Sequence, residues 1–391
     1  MRCVMIGENK TIKILHLIHG LNTGGAETLV KDYVLNFDSK RVDTVLLCLS
    51  HNRKSPYEKL LLNGGVRVIY AEDYLPFKSS NIAARAINRF CRYLIVRKII
   101  RQEASDVIHT HLLVNTFVKF AKPTKNTIIF HTVHNELTSI WQMNNRRRQR
   151  DFVAAKWLVK HYHMRFIALH DEMRKEINKI FGVSDTIVLN NGIDLEKFKN
   201  QTSKRSMRKE LAIPINAFVI GHVGRFSAQK NHDFLVDMFL EVKRKDEKAF
   251  LLLVGDGVDK NRIIKKMDVL GLGDSYLVLS NRDDVINLMS AMDVFVFPSR
   301  YEGLGIALVE AQEAKLPCFI SSKVPEHATI SNLITKLSLE DGVKKWADNI
   351  LNYKIPKKII VDDKDWDIKE ITKQLEQVYL EAVAEKKDGK K

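Results

Sequence analysis

Two glutamates eight positions apart, Glu302 and Glu310, bracket a Gly303-Leu304-Gly305 turn in "SRYEGLGIALVEAQEA". The strand-like run "MDVFVFPS" precedes them, and residues with helical spacing follow. Free amides at a helix start favour anions, so the glycine turn suits a diphosphate. Glu310 lies about five residues into that helix, roughly 7 Å along its axis, with its side chain leaning back toward the start. An ionised carboxylate accepts the two hydrogen bonds that a sugar cis-diol donates. Glu302, ahead of the glycines, would face the other end of the same ligand.

Two other loops have compatible chemistry. In "VIGHVGRFSAQKNHDF" a strand ends at Gly224, and Arg225 and Lys230 follow on the connecting loop. An arginine fork and a lysine point charge suit a diphosphate, although taken alone a pair of solvated surface cations is an equally good reading. In "ILHLIHGLNTGGAETLV" the pair Gly24 and Gly25 opens a helix after a strand. That is a possible anion seat, but also a plain strand-to-helix turn.

The elements that must position these loops alternate along the chain. Short apolar runs such as "KILHLIHGL", "DTVLLCLS", "TIIFHTVH", "FVIGHVGRF", "FLLLVGDG" and "VFVFPS" are separated by helical patterns. That alternation predicts parallel sheets covered by helices, an α/β class. At 391 residues, 45% of them hydrophobic, the chain is long enough for two cores. The polar, basic stretch from "NNGIDLEKF" to "LAIPINA" is the expected linker. The expected divisions are 1–197, 198–365, and a terminal helix with its tail over 366–391.

Lys+Arg 63 against Asp+Glu 47 gives a net charge of +16, pointing to an acidic partner. No aromatic residues interleave the basic runs in the manner of a nucleic-acid module, so no nucleic-acid partner is expected. Cys3, Cys48, Cys91 and Cys318 lack metal or redox spacing. The start "MRCVMIGENK" does not read as a signal peptide, and no run of eighteen apolar residues exists. A cytoplasmic protein is expected.

Six segments, "GGAE", "HTVHNE", "NNGIDLEKF", "GRFSAQKN", "LLVGDG" and "MDVFVFPSRYEGLGIALVEA", stand in the order used by retaining glycosyltransferases of family 4. The chain resembles that family, in its branch that builds capsule, exopolysaccharide or O-antigen, along nearly its whole length. The resemblance implies the GT-B fold: two Rossmann-like doubly wound domains facing a central cleft, with the C-terminal helix packing back on the N-terminal domain. The N-terminal domain would bind acceptor and the second the nucleotide sugar. It further implies that the Gly24, Gly25, Gly303, Leu304 and Gly305 amides contact the donor diphosphate. Arg225 and Lys230 would neutralise the departing nucleotide, Glu310 would bind the ribose diol, and Glu302 the donor sugar. A strand-end histidine would lie near the reacting sugar, His134 by preference and His131 as the second candidate.

No metal and no cofactor are expected. The Asp365-Trp366-Asp367 triplet precedes a helix, where capping accounts for it, and His109 and His111 have no carboxylate or cysteine clustered with them in sequence. The implied donor is a nucleotide sugar, UDP-linked by default, and the acceptor a glycan or lipid-linked glycan. Two basic segments, Arg85, Arg89 and Arg92, then Arg146, Arg147 and Arg148, read as ordinary surface helices when taken singly. Combined with the net charge, they tilt the reading toward an anionic membrane face and a peripheral location at the inner side of the cell membrane. The alternatives are a sugar-nucleotide 2-epimerase on the same scaffold and a non-catalytic GT-B subunit.

Overall fold

The computed structural model describes residues 11–22, 24–78, 81–134 and 145–389. Cys3 lies outside these residues, as do Asn135 and Glu136 of the "HTVHNE" segment. The chain forms two compact units, one comprising 11–22, 26–191 and 368–389, the other 24–25 and 192–367.

The first unit is built on seven parallel strands: β1 (Ile12–Ile18), β2 (Val42–Cys48), β3 (Arg67–Tyr70), β4 (Val107–His111), β5 (Ile128–Thr132), β6 (Arg165–Ala168) and β7 (Ile187–Val188). Their order across the sheet is β3-β2-β1-β4-β5-β6-β7. The described helices between them are α1 (Gly25–Asn36), α2 (Pro56–Asn63), α3 (Ile82–Glu103), α4 (Asn115–Ala121), α5 (Arg146–Tyr162) and α6 (Asp171–Phe181). Strands β1, β4 and β5 are buried almost throughout, which is why they read as continuous apolar runs rather than alternating ones.

In the second unit come α7 (Leu195–Lys199), α8 (Lys204–Glu210), α9 (His232–Lys245), α10 (Lys260–Val269), α11 (Val285–Ser290), α12 (Ile306–Glu313) and α13 (Gly342–Leu351). They accompany β8 (Phe218–Val223), β9 (Ala249–Val254), β10 (Tyr276–Leu279), β11 (Val294–Phe297), β12 (Cys318–Ser321) and β13 (Ile334–Leu337), again all parallel. The order is β10-β9-β8-β11-β12-β13. Its core gathers Phe239, Leu251, Val296, Phe319 and Trp346.

The last helix, α14 (Ile368–Asp388), returns to the first unit. Ile371, Leu375 and Tyr379 bury against Ile12, Ile14 and Phe130, as expected for the terminal helix. Glu376 accepts from Arg41 at 2.7 Å and from the Asp38 amide at 3.2 Å.

The expected linker is instead folded into the second unit. Arg208 is only 4% exposed; its guanidinium donates to the carbonyls of Ala291, Ile215 and Ala217 and pairs with Asp293 at 2.6 Å. A planar fork with five donors can satisfy itself this way in a buried place, so a basic run there does not mark a solvated tether. The second unit accordingly begins at Gly192, and Ile193 donates its amide to the Trp366 carbonyl at 2.7 Å. The three described cysteines are unbridged. Among the described residues no helix is long and apolar enough to cross a membrane.

Candidate functional site

In the second unit the strand order reverses between β8 and β11, which are hydrogen-bonded neighbours. Ligands of open parallel sheets bind outside the carboxyl ends of strands at such a reversal. The β8 strand leads into the Gly224–Lys230 loop, and β11 leads into the Glu302–Gly305 loop. The sheet order sets the two loops side by side.

The two loops are joined by charge. Lys230 Nζ donates to Glu302 Oε1 at 2.7 Å, and Gln229 Nε2 donates to Glu302 Oε2 at 3.4 Å. Glu302 is only 4% exposed, so its carboxylate needs such a partner to sit there. The Lys230 ammonium lies 4.3 Å from the centre of the Phe297 ring, a cation–π contact that fixes its position further. Backbone bonds reinforce the junction: Arg300 donates its amide to the Gln229 carbonyl at 2.8 Å, and Gln229 Nε2 donates to the Tyr301 carbonyl at 3.0 Å. Asn231, buried with φ +57°, donates to the Pro298 carbonyl. Glu302 thus faces Lys230 directly.

Gly305 opens α12 with φ +82° and no side-chain cap, a backbone geometry that glycine adopts without penalty. A Cβ here would also crowd the Phe297 ring at 3.2 Å. The first amides of α12 are therefore not covered by a capping side chain. Gly303 and Leu304 are buried, and Glu310 is half-buried one turn into the helix. Arg225 is exposed on the β8 loop. Gly24 and Gly25 group with this same unit.

Two features of this site escaped sequence reading. The "GDG" segment works in packing: Gly255 has φ +151°, and any side chain there would collide with the Gly224 carbonyl, while Phe226 donates its amide to Asp256 at 2.9 Å. Gln312, fully buried on α12, accepts from the amides of Ile330 and Ser331 and donates to the carbonyls of Leu308 and Ala328. It ties "EHATI" to the helix carrying Glu310. An amide residue amid the apolar positions of α12 was the available signal.

The first unit reverses its strand order between β1 and β4. Here histidines gather. His16 on β1 lies opposite His109 on β4, and His16 Nδ1 is 3.1 Å from His111 Nε2. His111 Nδ1 is in turn 3.1 Å from His134 Nε2, making a hydrogen-bonded row. His109 sits beside it, bonded to Tyr379 at 2.5 Å and Thr132 at 2.7 Å. Nitrogens of His16, His109 and His111 lie within 4.8 Å of one another, but these hydrogen bonds engage His111 and His109 through both ring nitrogens. Burial pushes the pKa of His16 and His134 down to about 3 and of His131 to about 4, and drives His109 and His111 well down as well. Near neutral pH the row carries no charge.

His131 lies inside β5, 4% exposed and bonded to Thr110 Oγ1 at 2.8 Å. His134, beyond the strand end, is half-buried, and its Nδ1 has no partner among the described residues. Of the six arginines expected at an acceptor or membrane face, Arg92 and Arg147 lie close enough to His19, just past β1, to help burial depress its pKa. Arg85, Arg89 and Arg146 are exposed on α3 and α5, and Arg148 is half-buried. The side of α3 expected to be apolar is not covered: Ile87, Phe90 and Leu94 are 46, 61 and 44% exposed.

Comparison with known proteins agrees with this architecture. Residues 23–197 match the profile described as Glycosyltransferase Family 4, and residues 203–355 that of Glycosyl transferases group 1. EpsF of Bacillus subtilis, named a glycosyltransferase, is 29% identical over 348 residues, 86% of each chain. An Escherichia coli UDP-Gal:α-D-GlcNAc-diphosphoundecaprenol α-1,3-galactosyltransferase is 27% identical over 84% of each chain. The capsular polysaccharide biosynthesis glycosyltransferase CapH of Staphylococcus aureus is 23% identical over 94% of this chain and 99% of its own. Among solved structures, Anabaena HepE in complex with UDP and glucose superposes with a TM-score of 0.69 at 18% identity, covering 96% of this chain and 98% of that one. Taken with the two parallel sheets, these matches make the chain a family 4 glycosyltransferase of the GT-B fold that acts in polysaccharide biosynthesis.

Proposed function

We propose that this enzyme transfers a sugar, with retention of anomeric configuration and without a metal, from a nucleoside-diphosphate sugar to a glycan or polyprenyl-linked glycan. The observation that carries the reading is the meeting of the β8 and β11 loops at the strand-order reversal, where Lys230 and Glu302 pair beside the open amides of α12. Arg225 and Lys230 stabilise negative charge on the departing diphosphate, an electrostatic contribution worth about 2.7–4 kcal/mol of barrier per contact at comparable sites. Glu310 takes the ribose diol, and Glu302 holds Lys230 in place while its backbone neighbours meet the sugar. The leaving diphosphate accepts the acceptor's proton on the face it vacates. A neutral His134 suits a hydroxyl partner on the reacting sugar better than a charged one would.

UDP is the favoured carrier: the named donor of the Escherichia coli relative is UDP-Gal, and HepE was crystallised with UDP and with UDP-glucose. The same relative acts on a diphosphoundecaprenol-linked sugar, which supports a lipid-linked acceptor here. The exposed apolar residues of α3 beside Arg85 and Arg89 support peripheral attachment to the inner membrane face.

The test is thermal stabilisation by UDP, GDP, ADP and CMP, in wild type, Arg225→Ala and Glu310→Ala. One nucleotide should stabilise wild type and neither variant. Failure of every nucleotide to stabilise the folded protein would overturn the donor site and favour a non-catalytic GT-B subunit. Once a sugar donor is found, the anomeric configuration of the product decides the stereochemistry.

A further inference from the structure

A cavity of about 690 Å³ opens on the first unit between α3, α4 and α5, and no member of the histidine row lines it. Five cations line it: Arg97 from α3, Lys119 and Lys122 from α4 and its end, and Arg146 and Arg150 from α5. No carboxylate lines it among the described residues. Asp151, next along the chain, is 1% exposed and engaged elsewhere, accepting from Asn115 Nδ2 at 3.0 Å and the Thr116 amide at 3.2 Å. Burial pushes its pKa up to about 7, which further weakens it as a counter-charge.

Apart from Thr116 and Gln149, the rest of the lining is aromatic or aliphatic: Tyr93, Phe120, Val153 and Ala154. Tyr93 stacks on Phe117 with ring centres 4.2 Å apart and meets Phe120 edge-on at 5.4 Å. Arg97 lies 5.8 Å over the Phe120 ring and Lys119 5.7 Å over Trp157. These cation–π contacts fix the charged ends of Arg97 and Lys119 at the aromatic wall of the cavity. Val153 at the rim is 57% exposed, and along α3 the apolar surface continues through Leu94 and Phe90.

Concentrated positive charge over an aromatic floor, with an apolar strip leading out, matches an amphiphile: a phosphoryl or diphosphoryl head on a hydrocarbon chain. A free phosphate would gain nothing from the apolar strip. We infer that the cavity between α3, α4 and α5 binds the phosphorylated end of a lipid, with the chain lying along the exposed apolar residues of α3. This deepens the reading of a lipid-linked acceptor and rests on it only for the lipid's role, not for the binding.

The probe is farnesyl diphosphate, titrated calorimetrically into wild-type enzyme saturated with UDP, with inorganic diphosphate as the control. Binding at least tenfold tighter than inorganic diphosphate is expected, with at least a tenfold loss in Lys122→Gln/Arg150→Gln, both exposed positions that leave the core intact. Val153→Asp should weaken binding in the same direction. Glu310→Ala, which disables the proposed nucleotide site, should retain it, so that loss of nucleotide binding and loss of lipid-phosphate binding are read separately. Equal affinity for the two diphosphates, or no change in the cavity variants, would overturn the inference. So would variants that keep farnesyl diphosphate but lose flotation with vesicles of phosphatidylcholine and phosphatidylglycerol, because the cations would then serve a diffuse membrane contact.

Discussion

The two units use the same sheet plan and reverse strand order at the same place, yet they fill the reversal with opposite chemistry. In the first unit it holds uncharged imidazoles linked to one another, His16 and His111 buried and His134 half-buried. In the second it holds a charged pair, Lys230 and Glu302, beside a glycine turn. A parallel sheet edge accepts either solution, provided each polar group finds a partner. Neutral rings suit hydroxyl groups, whereas fixed charges and free amides suit a diphosphate. Fold alone does not decide function here; the strand-end residues do.

The sharpest way to break the comparison is to remove one charge. Lys230→Met leaves Glu302 buried and unpaired, and should cost about 3–5 kcal/mol of stability, read by chemical denaturation, and a factor of about 10²–10³ in turnover. The double variant Lys230→Met/Glu302→Gln should recover most of the stability and none of the turnover. Recovery of both would show that the pair is structural.

Acid should separate the two units. Five histidines at the first unit's sheet are held neutral by burial, His16, His109, His111, His131 and His134, against His222 and His232 in the second. Their folded pKa values lie below the unfolded value near 6.5, so the unfolded state binds more protons and stability falls as pH drops through that value. The loss continues down to the folded values, about 3 to 4 where known. Each such histidine contributes about 1.4 kcal/mol per pH unit across that window. Hydrogen exchange between pH 7 and 5 should show the first unit opening before the second; equal loss of protection would contradict the account.

His111→Leu interrupts the row and leaves nitrogens of His16 and His134 unpaired, at about 1–3 kcal/mol. If His134 faces the sugar, the change should also lower kcat/KM while leaving nucleotide stabilisation intact. Gly305→Ala should cost about 1–2 kcal/mol, through φ +82° and the Phe297 ring, with a weakened nucleotide shift as the finer readout.

The second unit's loop elements were legible because their motifs are local: glycines, a strand end and a helix start lie within ten residues of one another. The strands were legible where they are fully buried, and the terminal helix through its amphipathic spacing. The histidine row was not, since His16 and His111 are 95 residues apart and only the β1–β4 register joins them. The Lys230–Glu302 contact, 72 residues apart, was hidden for the same reason. The segment around Arg208 misled because a buried arginine with four acceptors has the composition of a tether. On α3 the spacing left open whether the apolar side finds a sheet, and Ile87, Phe90 and Leu94 are exposed.

The return of α14 to the first unit has a consequence during synthesis. Tyr379, which bonds His109 and fills the space beside Phe130, reaches the ribosome exit only after the whole second unit has been made. The first unit's core therefore lacks the α14 side chains Ile371, Leu375 and Tyr379 until the second unit has been translated, so the usual N-terminal-first order of domain folding cannot complete it on its own.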